Sequence, residues 1–307
     1  MPRERVVIKF GGAALRTPGR VARAAARIRT LRRHGVEVVA VVSAPGRSTD
    51  RLLGRARSVR ERGPVAAPDS GGSGGMGDSR DSGDSSGLRR EEDRLLATGE
   101  IQSSALLALA LLHRGVPARG LSGPEAGLFL AAGRLELEPR ILEGLLEEGC
   151  TPVVAGFQAL DSRGELRTLE RGGSDLTAVV VAEGIGAGEC HLIKDVAGIY
   201  ARDPNGSAST EGGATDGATR TPGKPYARLP TEELIALARR GARVVQVDAA
   251  ERARRAGLFL RICHFRTPAL NPGGTLVAPS ARSVGVAWTH TPSISLDRAS
   301  LLRREAS

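Results

Sequence analysis

Three short stretches of this chain hold residue types, at spacings, that suit phosphate and carboxylate chemistry. In KFGG at 9–12, Lys9 ends an apolar run, and Gly11 and Gly12 follow it. A glycine turn exposes backbone N–H groups and a lysine adds a point charge, which together cradle phosphate oxygens. In ERGGSD at 170–175, Arg171 can grip a carboxylate with two parallel hydrogen bonds while Asp175 orients reacting groups. Ser174 or Asp175 would serve equally well as a helix cap. In KDVAGIYARDP at 194–204, Asp195 suits a ribose hydroxyl and Tyr200 a base contact, although an ordinary strand-to-helix loop has the same composition. Each stretch alone is a weak signal, and KFGG is not a Walker A sequence.

Lysine usage strengthens the first. Of 44 Lys and Arg residues only Lys9, Lys194 and Lys224 are lysine. A chain that otherwise uses arginine has kept a compact ammonium at the end of an apolar strand. The net charge of +10 is spread along the whole chain, and aromatic residues make up 3%. That distribution, with no helix-turn-helix, RRM or zinc-finger pattern, argues against a nucleic-acid partner. No unbroken run of about eighteen apolar residues and no apolar leader is present, so no membrane partner is expected and the expected location is the cytoplasm. Cys150, Cys190 and Cys263 lie far apart without ligand spacing, which predicts reduced core residues and no protein-held metal.

The elements that must position these residues alternate between strand and helix. Residues 5–10 and 36–43 are near-continuous apolar strands, and the apolar positions Val21, Ala24, Ala25, Ile28 and Leu31 between them have helical spacing. Arg20, Arg23, Arg27 and Arg33 fall mostly on the opposite, solvated side. Strand, helix and parallel strand imply a sheet covered by helices. A helix is expected from about Arg89 to Arg114, carrying Glu100, then strands at 151–157, 164–168 and 189–195 with a helix at 174–184. Helices at 230–240 and 247–256 and a strand at 258–263 follow. Residues 64–88 are rich in Gly, Ser and Asp and 205–224 in Gly, Ser and Thr; both read as flexible inserts. Removal of 66–86 is expected to leave activity and stability little changed.

The order of motifs then adds a resemblance. KFGGAA, VVSAPGRSTD, LATGE, GFQAL with ERGGSD, KDVAGIYARDPN, GARVVQV and GGTLV occur in the order found in aspartate kinases of the amino-acid kinase superfamily, over about residues 5–277. The chain is similar to that family throughout this span. The resemblance implies an α/β fold, an αβα sandwich with a mainly parallel sheet and two lobes, in one catalytic domain over 1–277. It implies transfer of the γ-phosphoryl group of ATP to the side-chain carboxylate of L-aspartate, with Mg2+ as cofactor. By position, Lys9 would neutralise the transferring group and Asp175 would hold Lys9 in place. Thr49, Glu100, Arg171 and Ser174 match the amino-acid site, with Glu100 on the substrate ammonium and Arg171 on its α-carboxylate. Gly11, Gly12, Lys194, Asp195, Tyr200, Asn205 and Arg243 match the nucleotide side.

This chain departs from the family mainly on that side. Ala13 and Ala14 replace Thr-Ser, Lys194 replaces Thr, Asn205 replaces Arg, Arg243 replaces Lys, and Gln246-Val247 replace His-Pro. A kinase for another carboxylate, or a non-catalytic regulatory homologue, is the rival reading. Residues 278–307 resemble the opening of an ACT domain, too short to complete one. Activity is therefore expected to be unaffected by lysine and threonine; the alternative is that the tail pairs with the sheet edge or with a second subunit of a homo-oligomer, or that a separate ACT-bearing chain docks on it.

Overall fold

The structure, a computed structural model, describes residues 3–61, 84–170, 172–200, 223–242 and 244–279. In chain order the elements are β1 (Arg5–Phe10), α1 (Gly12–Leu15), α2 (Pro18–Arg33), β2 (Glu37–Val42), α3 (Ser48–Glu61) and α4 (Asp84–Leu112). Next come β3 (Ala118–Leu121), a 3-10 turn at Pro124–Ala126, β4 (Leu128–Ala131), β5 (Arg134–Leu137), α5 (Arg140–Glu147), β6 (Thr151–Ala155), β7 (Gln158–Leu160) and β8 (Leu166–Thr168). The chain continues through α6 (Gly173–Gly184), β9 (Glu189–Lys194), β10 (Arg228–Pro230), α7 (Thr231–Arg239), α8 (Val247–Arg255), β11 (Phe259–His264) and β12 (Thr275–Ala278).

Eight strands form the central sheet in the order β10-β12-β11-β9-β1-β2-β6-β3. Its pairs are parallel except β11 with β12. Side chains alternate across a strand, so one strand feeds two cores. Val6, Ile8 and Phe10 of β1 pack with Ile28 and Leu31 of α2 and Leu107 and Leu111 of α4. Val7, with Cys190 and Leu192 of β9, packs on the other face against α5, α6 and α8. Lys9 shares the parity of Val7, and Lys194 that of Leu192, so the alternation directs both lysines to the α6 face. Both faces of β1 and β2 are covered, which is why these strands read as unbroken apolar runs. A smaller sheet, β5-β4-β7-β8, packs into the same core through Leu128, Leu135 and Ala159.

Long helix α4 joins the two sheets. Ser104 Oγ donates to Val153 O at 2.6 Å and accepts from Leu121 N at 3.1 Å, tying α4 to β6 and β3. Thr168 N donates to Asp93 Oδ1 at 3.2 Å, tying it to β8. Glu100 lies between these two attachments. By length and apolar character Ser86–Leu112 would pass for a membrane span, but half of the apolar stretch is buried inside the protein.

The structure departs from the sequence expectations at identifiable points. Helix α4 begins at Asp84, within the stretch read as an insert, because Asp-Ser-Ser-Gly continues a helix whose later turns are packed. The rest of the first insert up to residue 83 lies outside the described residues, as do 205–222 of the second and the tail beyond 279. Cys190 and Cys263 are buried, whereas Cys150 is half-buried. Arg27, assigned to a solvated face, is 7% exposed. Its guanidinium donates from Nη1 to Thr267 O at 2.8 Å and lies 3.8 Å from Cys263 Sγ, so it ties α2 to the turn after β11. Arg27→Ala is expected to cost on the order of 1–3 kcal/mol in chemical denaturation, because it orphans a carbonyl and opens space in the core. Arg23→Ala, on the exposed side of the same helix, should stay within about 0.5 kcal/mol.

Candidate active site

Four of the sequence-derived residues, Lys9, Glu100, Asp175 and Lys194, arrive from β1, α4, α6 and β9. Helix α6 opens on Gly172, whose φ of 95° is easy only for glycine. Neither Ser174 nor Asp175 is the cap: both lie inside the first turn, with no side-chain cap hydrogen bond. Asp175 faces the sheet instead, where Lys9 Nζ stands 2.8 Å from Oδ1 and Lys194 Nζ 2.7 Å from Oδ2. Side-chain exposures are 8% for Lys9, 4% for Asp175 and 17% for Lys194. Burial alone would raise the Asp175 carboxyl; Lys194 and then Lys9 outweigh it and hold it at about 2. Burial lowers the Lys194 ammonium, with Asp175 opposing. One carboxylate lies between two ammoniums, on which Asp195 and Glu100 also act, and a pair of ammoniums at the strand ends suits an anion.

The glycine pair sits beside them. Gly11 N donates to Ile193 O at 3.0 Å, drawing the turn onto the end of β9. Its φ is −66°, so the turn does not need glycine's left-handed freedom. Glycine is needed for closeness. A Cβ on Gly12 would lie 2.5 Å from Ala44 O, and one on Gly11 would lie 3.8 Å from Lys9 Nζ, in the approach to the ammonium. Gly156 performs the same service on the far side, since a Cβ there would lie 2.9 Å from Ser174 Cβ. Sequence reasoning assigned Gly156 no role, although the GFQ motif marks it.

Glu100 is 3% exposed. Its Oε1 accepts the Ala44 N–H at 2.9 Å, and Oε2 is buried without a protein hydrogen-bond partner. Desolvation pushes this carboxyl up to about 7, against the opposing pull of the backbone N–H groups and Lys9. A buried carboxylate oxygen held open is a receptor for a cationic group. Thr49 lies half-buried in the first turn of α3, and Asp195, exposed, and Tyr200, half-buried, lie in the loop leaving β9. Ile199 N donates to Thr275 Oγ1 at 2.9 Å, anchoring that loop to β12. Arg171, Asn205 and Arg243 lie outside the described residues. The cavity of about 990 Å³ next to this cluster is walled by α2, the turn before α3, and α4; it does not touch the four charged residues.

A model of the amino acid kinase family matches residues 4–211. The chain belongs to the amino acid kinase family. An aspartate kinase of Stutzerimonas stutzeri is 31% identical over 264 residues, 84% of this chain and 55% of that protein. An aspartokinase of Thermus thermophilus is 32% identical over 301 residues, 96% of this chain and 64% of that protein. The chain thus spans between half and two thirds of the length of these relatives. Among solved structures, the aspartate kinase of Synechocystis superposes with a TM-score of 0.66 at 33% identity, covering 90% of this chain and 40% of that one. A UMP kinase of Bacillus anthracis shares the fold at a TM-score of 0.58 and 20% identity, covering 92% of this chain and 98% of that one. The αβα architecture expected from the sequence is therefore the fold of this family.

The elevated carboxyl of Glu100 has a stability consequence. The folded protein holds the proton up to about pH 7, whereas an unfolded glutamate releases it near 4.3, so stability falls as pH rises between those values. Glu100→Gln keeps an oxygen for Ala44 N–H without the buried charge. It is expected to stabilise the protein by about 1–3 kcal/mol at pH 8, with the gain largely gone at pH 5, as read from denaturation midpoints at the two pH values.

Proposed function

We propose that this chain is an aspartate kinase, transferring the γ-phosphoryl group of ATP to the side-chain carboxylate of L-aspartate to give 4-phospho-L-aspartate and ADP in the cytoplasm. The observation that carries the reading is the pairing of the Lys9–Asp175–Lys194 group with the open, buried oxygen of Glu100. The first suits a phosphoryl group and the second a substrate ammonium. The aspartate kinases aligned over most of the chain support the choice of acceptor.

In this reading Gly11 and Gly12 admit the phosphates beside Lys9, and Asp175 holds Lys9 where charge develops. Glu100 takes the α-ammonium of aspartate, Arg171 its α-carboxylate, and Thr49 and Ser174 complete the amino-acid site. Asp195, Tyr200, Asn205 and Arg243 contact the nucleotide. The acceptor carboxylate is already ionised at neutral pH, so no general base is needed. Catalysis lies in positioning and in charge stabilisation of an in-line transfer. In this reading Mg2+ enters as the metal complex of ATP, as part of the substrate.

Purified protein given MgATP, hydroxylamine and a panel of acidic amino acids is expected to yield aspartyl hydroxamate. Formation of another hydroxamate in preference would assign a different acceptor. Lys9→Ala is expected to lower kcat by at least about 10³-fold with the fold intact, since it removes charge from the transition state. Arg171→Ala should chiefly raise KM for aspartate, by roughly tenfold or more, and Arg171→Lys should recover only part of the loss. An unchanged KM would place Arg171 outside the substrate site. The KM for aspartate should also rise as pH falls below about 7, where Glu100 gains its proton and loses its attraction for the ammonium.

A further inference from the structure

We infer that Lys194 is a second catalytic cation: with Lys9 it flanks the γ-phosphoryl group during transfer, and Asp175 fixes both ammoniums from opposite carboxylate oxygens. This deepens the aspartate-kinase reading and rests on it for the identity of the acceptor. Three observations carry it.

The first is stoichiometry of charge. Lys9 alone would neutralise Asp175, so a second ammonium at 2.7 Å is not required to satisfy the buried carboxylate. Asp175 balances one of the two ammoniums; Asp195 also acts on Lys194 and Glu100 on Lys9, and an anion reaching the strand ends would share the pull of both lysines. The second is placement. Lys9 pairs in register with Leu192, two residues before Lys194 on the same face of the adjacent parallel strand. The N–H of Gly11 bonds the carbonyl of Ile193, directly before Lys194. Lys194 thus emerges beside the glycine turn, where Ala13 and Ala14 bring no hydroxyl. The third is residue choice. In a chain with 44 Lys and Arg residues of which three are lysine, two of those three converge on one carboxylate. A planar guanidinium would engage Asp175 in a fork and turn its donors away from a ligand, whereas an ammonium touching one oxygen keeps two N–H groups free.

In the step, an oxygen of the aspartate side chain forms the new bond to Pγ while the bond from Pγ to the β,γ-bridging oxygen breaks. That oxygen leaves with the electron pair on ADP. Both lysines keep their protons, and Asp175 accepts none. The charge spread over the three equatorial oxygens of the transferring group is met by Lys9 on one side and Lys194 on the other.

The test compares Lys194→Met and Lys194→Arg with the wild-type full chain in two assays. By hydroxylamine trapping, Lys194→Met is expected to lower kcat about 100-fold, with KM for aspartate within about threefold, and Lys194→Arg to recover part of the loss. By calorimetry with the non-hydrolysable analogue AMPPNP and with ADP, Lys194→Met should lose about tenfold in AMPPNP affinity and little in ADP affinity. Its thermal stability should equal or exceed that of the wild type, because the Lys9–Asp175 pair remains and one of the two ammoniums is gone. The inference is overturned if kcat and the preference for AMPPNP over ADP are both retained. It is also overturned if Lys194→Met weakens ADP as much as AMPPNP, which would place Lys194 on the diphosphate, or if activity falls only in step with unfolding. A wild type that makes no aspartyl hydroxamate would defeat the choice of acceptor, while the AMPPNP and ADP affinities would still decide the role of Lys194.

Discussion

The carboxylate of Asp175, buried against the ends of two neighbouring strands, is the interaction on which the site depends. Lys9 and Lys194 come from adjacent parallel strands whose alternation sends both side chains to one face. Helix α6 delivers Asp175 to that face in its first turn. Remove the carboxylate and the two ammoniums lose the group that both contact. With it in place each ammonium is aimed by one carboxylate oxygen. The central sheet, the turn at Gly11 and Gly12, and the start of α6 are all arranged around this one group.

Glu100 imposes the opposite constraint. It is a carboxyl kept in a dry place with one oxygen unused, on a helix held to the central sheet by Ser104 on one side and to the small sheet by Asp93 on the other. Such a group lowers stability in the empty protein and regains it when a cation arrives. Asp175 and Glu100 divide the site by charge: two ammoniums gathered on one carboxylate, and a second, buried carboxyl with an unpartnered oxygen. Two sites of opposite sign side by side suit a reaction between a polyanion and a zwitterion.

Much of this was legible in the sequence. The apolar runs of β1 and β2 announced strands covered on both faces, and helical spacing placed α2. The ordered motifs located Lys9, Glu100 and Asp175. Other features escaped because their cause is tertiary. Arg27 follows the spacing of a solvated face, yet its partner is a carbonyl 240 residues away. The first turn of α4 is written in Asp, Ser and Gly and takes its order from the packed turns that follow. Of the small sheet only the extended piece at 164–168, which holds β8, is expected from the sequence; β4, β5 and β7 are strands of three or four residues, too short for alternation to show. Most instructive is Lys194. Read by position it is a departure on the nucleotide side; in the structure it donates to Asp175, the residue 19 positions before it.

The most direct measurement of the central claim is a crystal structure of the full chain with ADP, L-aspartate, Mg2+ and aluminium fluoride as a mimic of the transferring phosphoryl group. The account expects the fluoride plane between the ammoniums of Lys9 and Lys194, each within about 3 Å of a fluorine. The aspartate side-chain carboxylate should lie on the axis opposite the ADP leaving oxygen, with its ammonium on Glu100. A fluoride bound away from Asp175, or an aspartate whose side chain points out of line while its ammonium avoids Glu100, would contradict it.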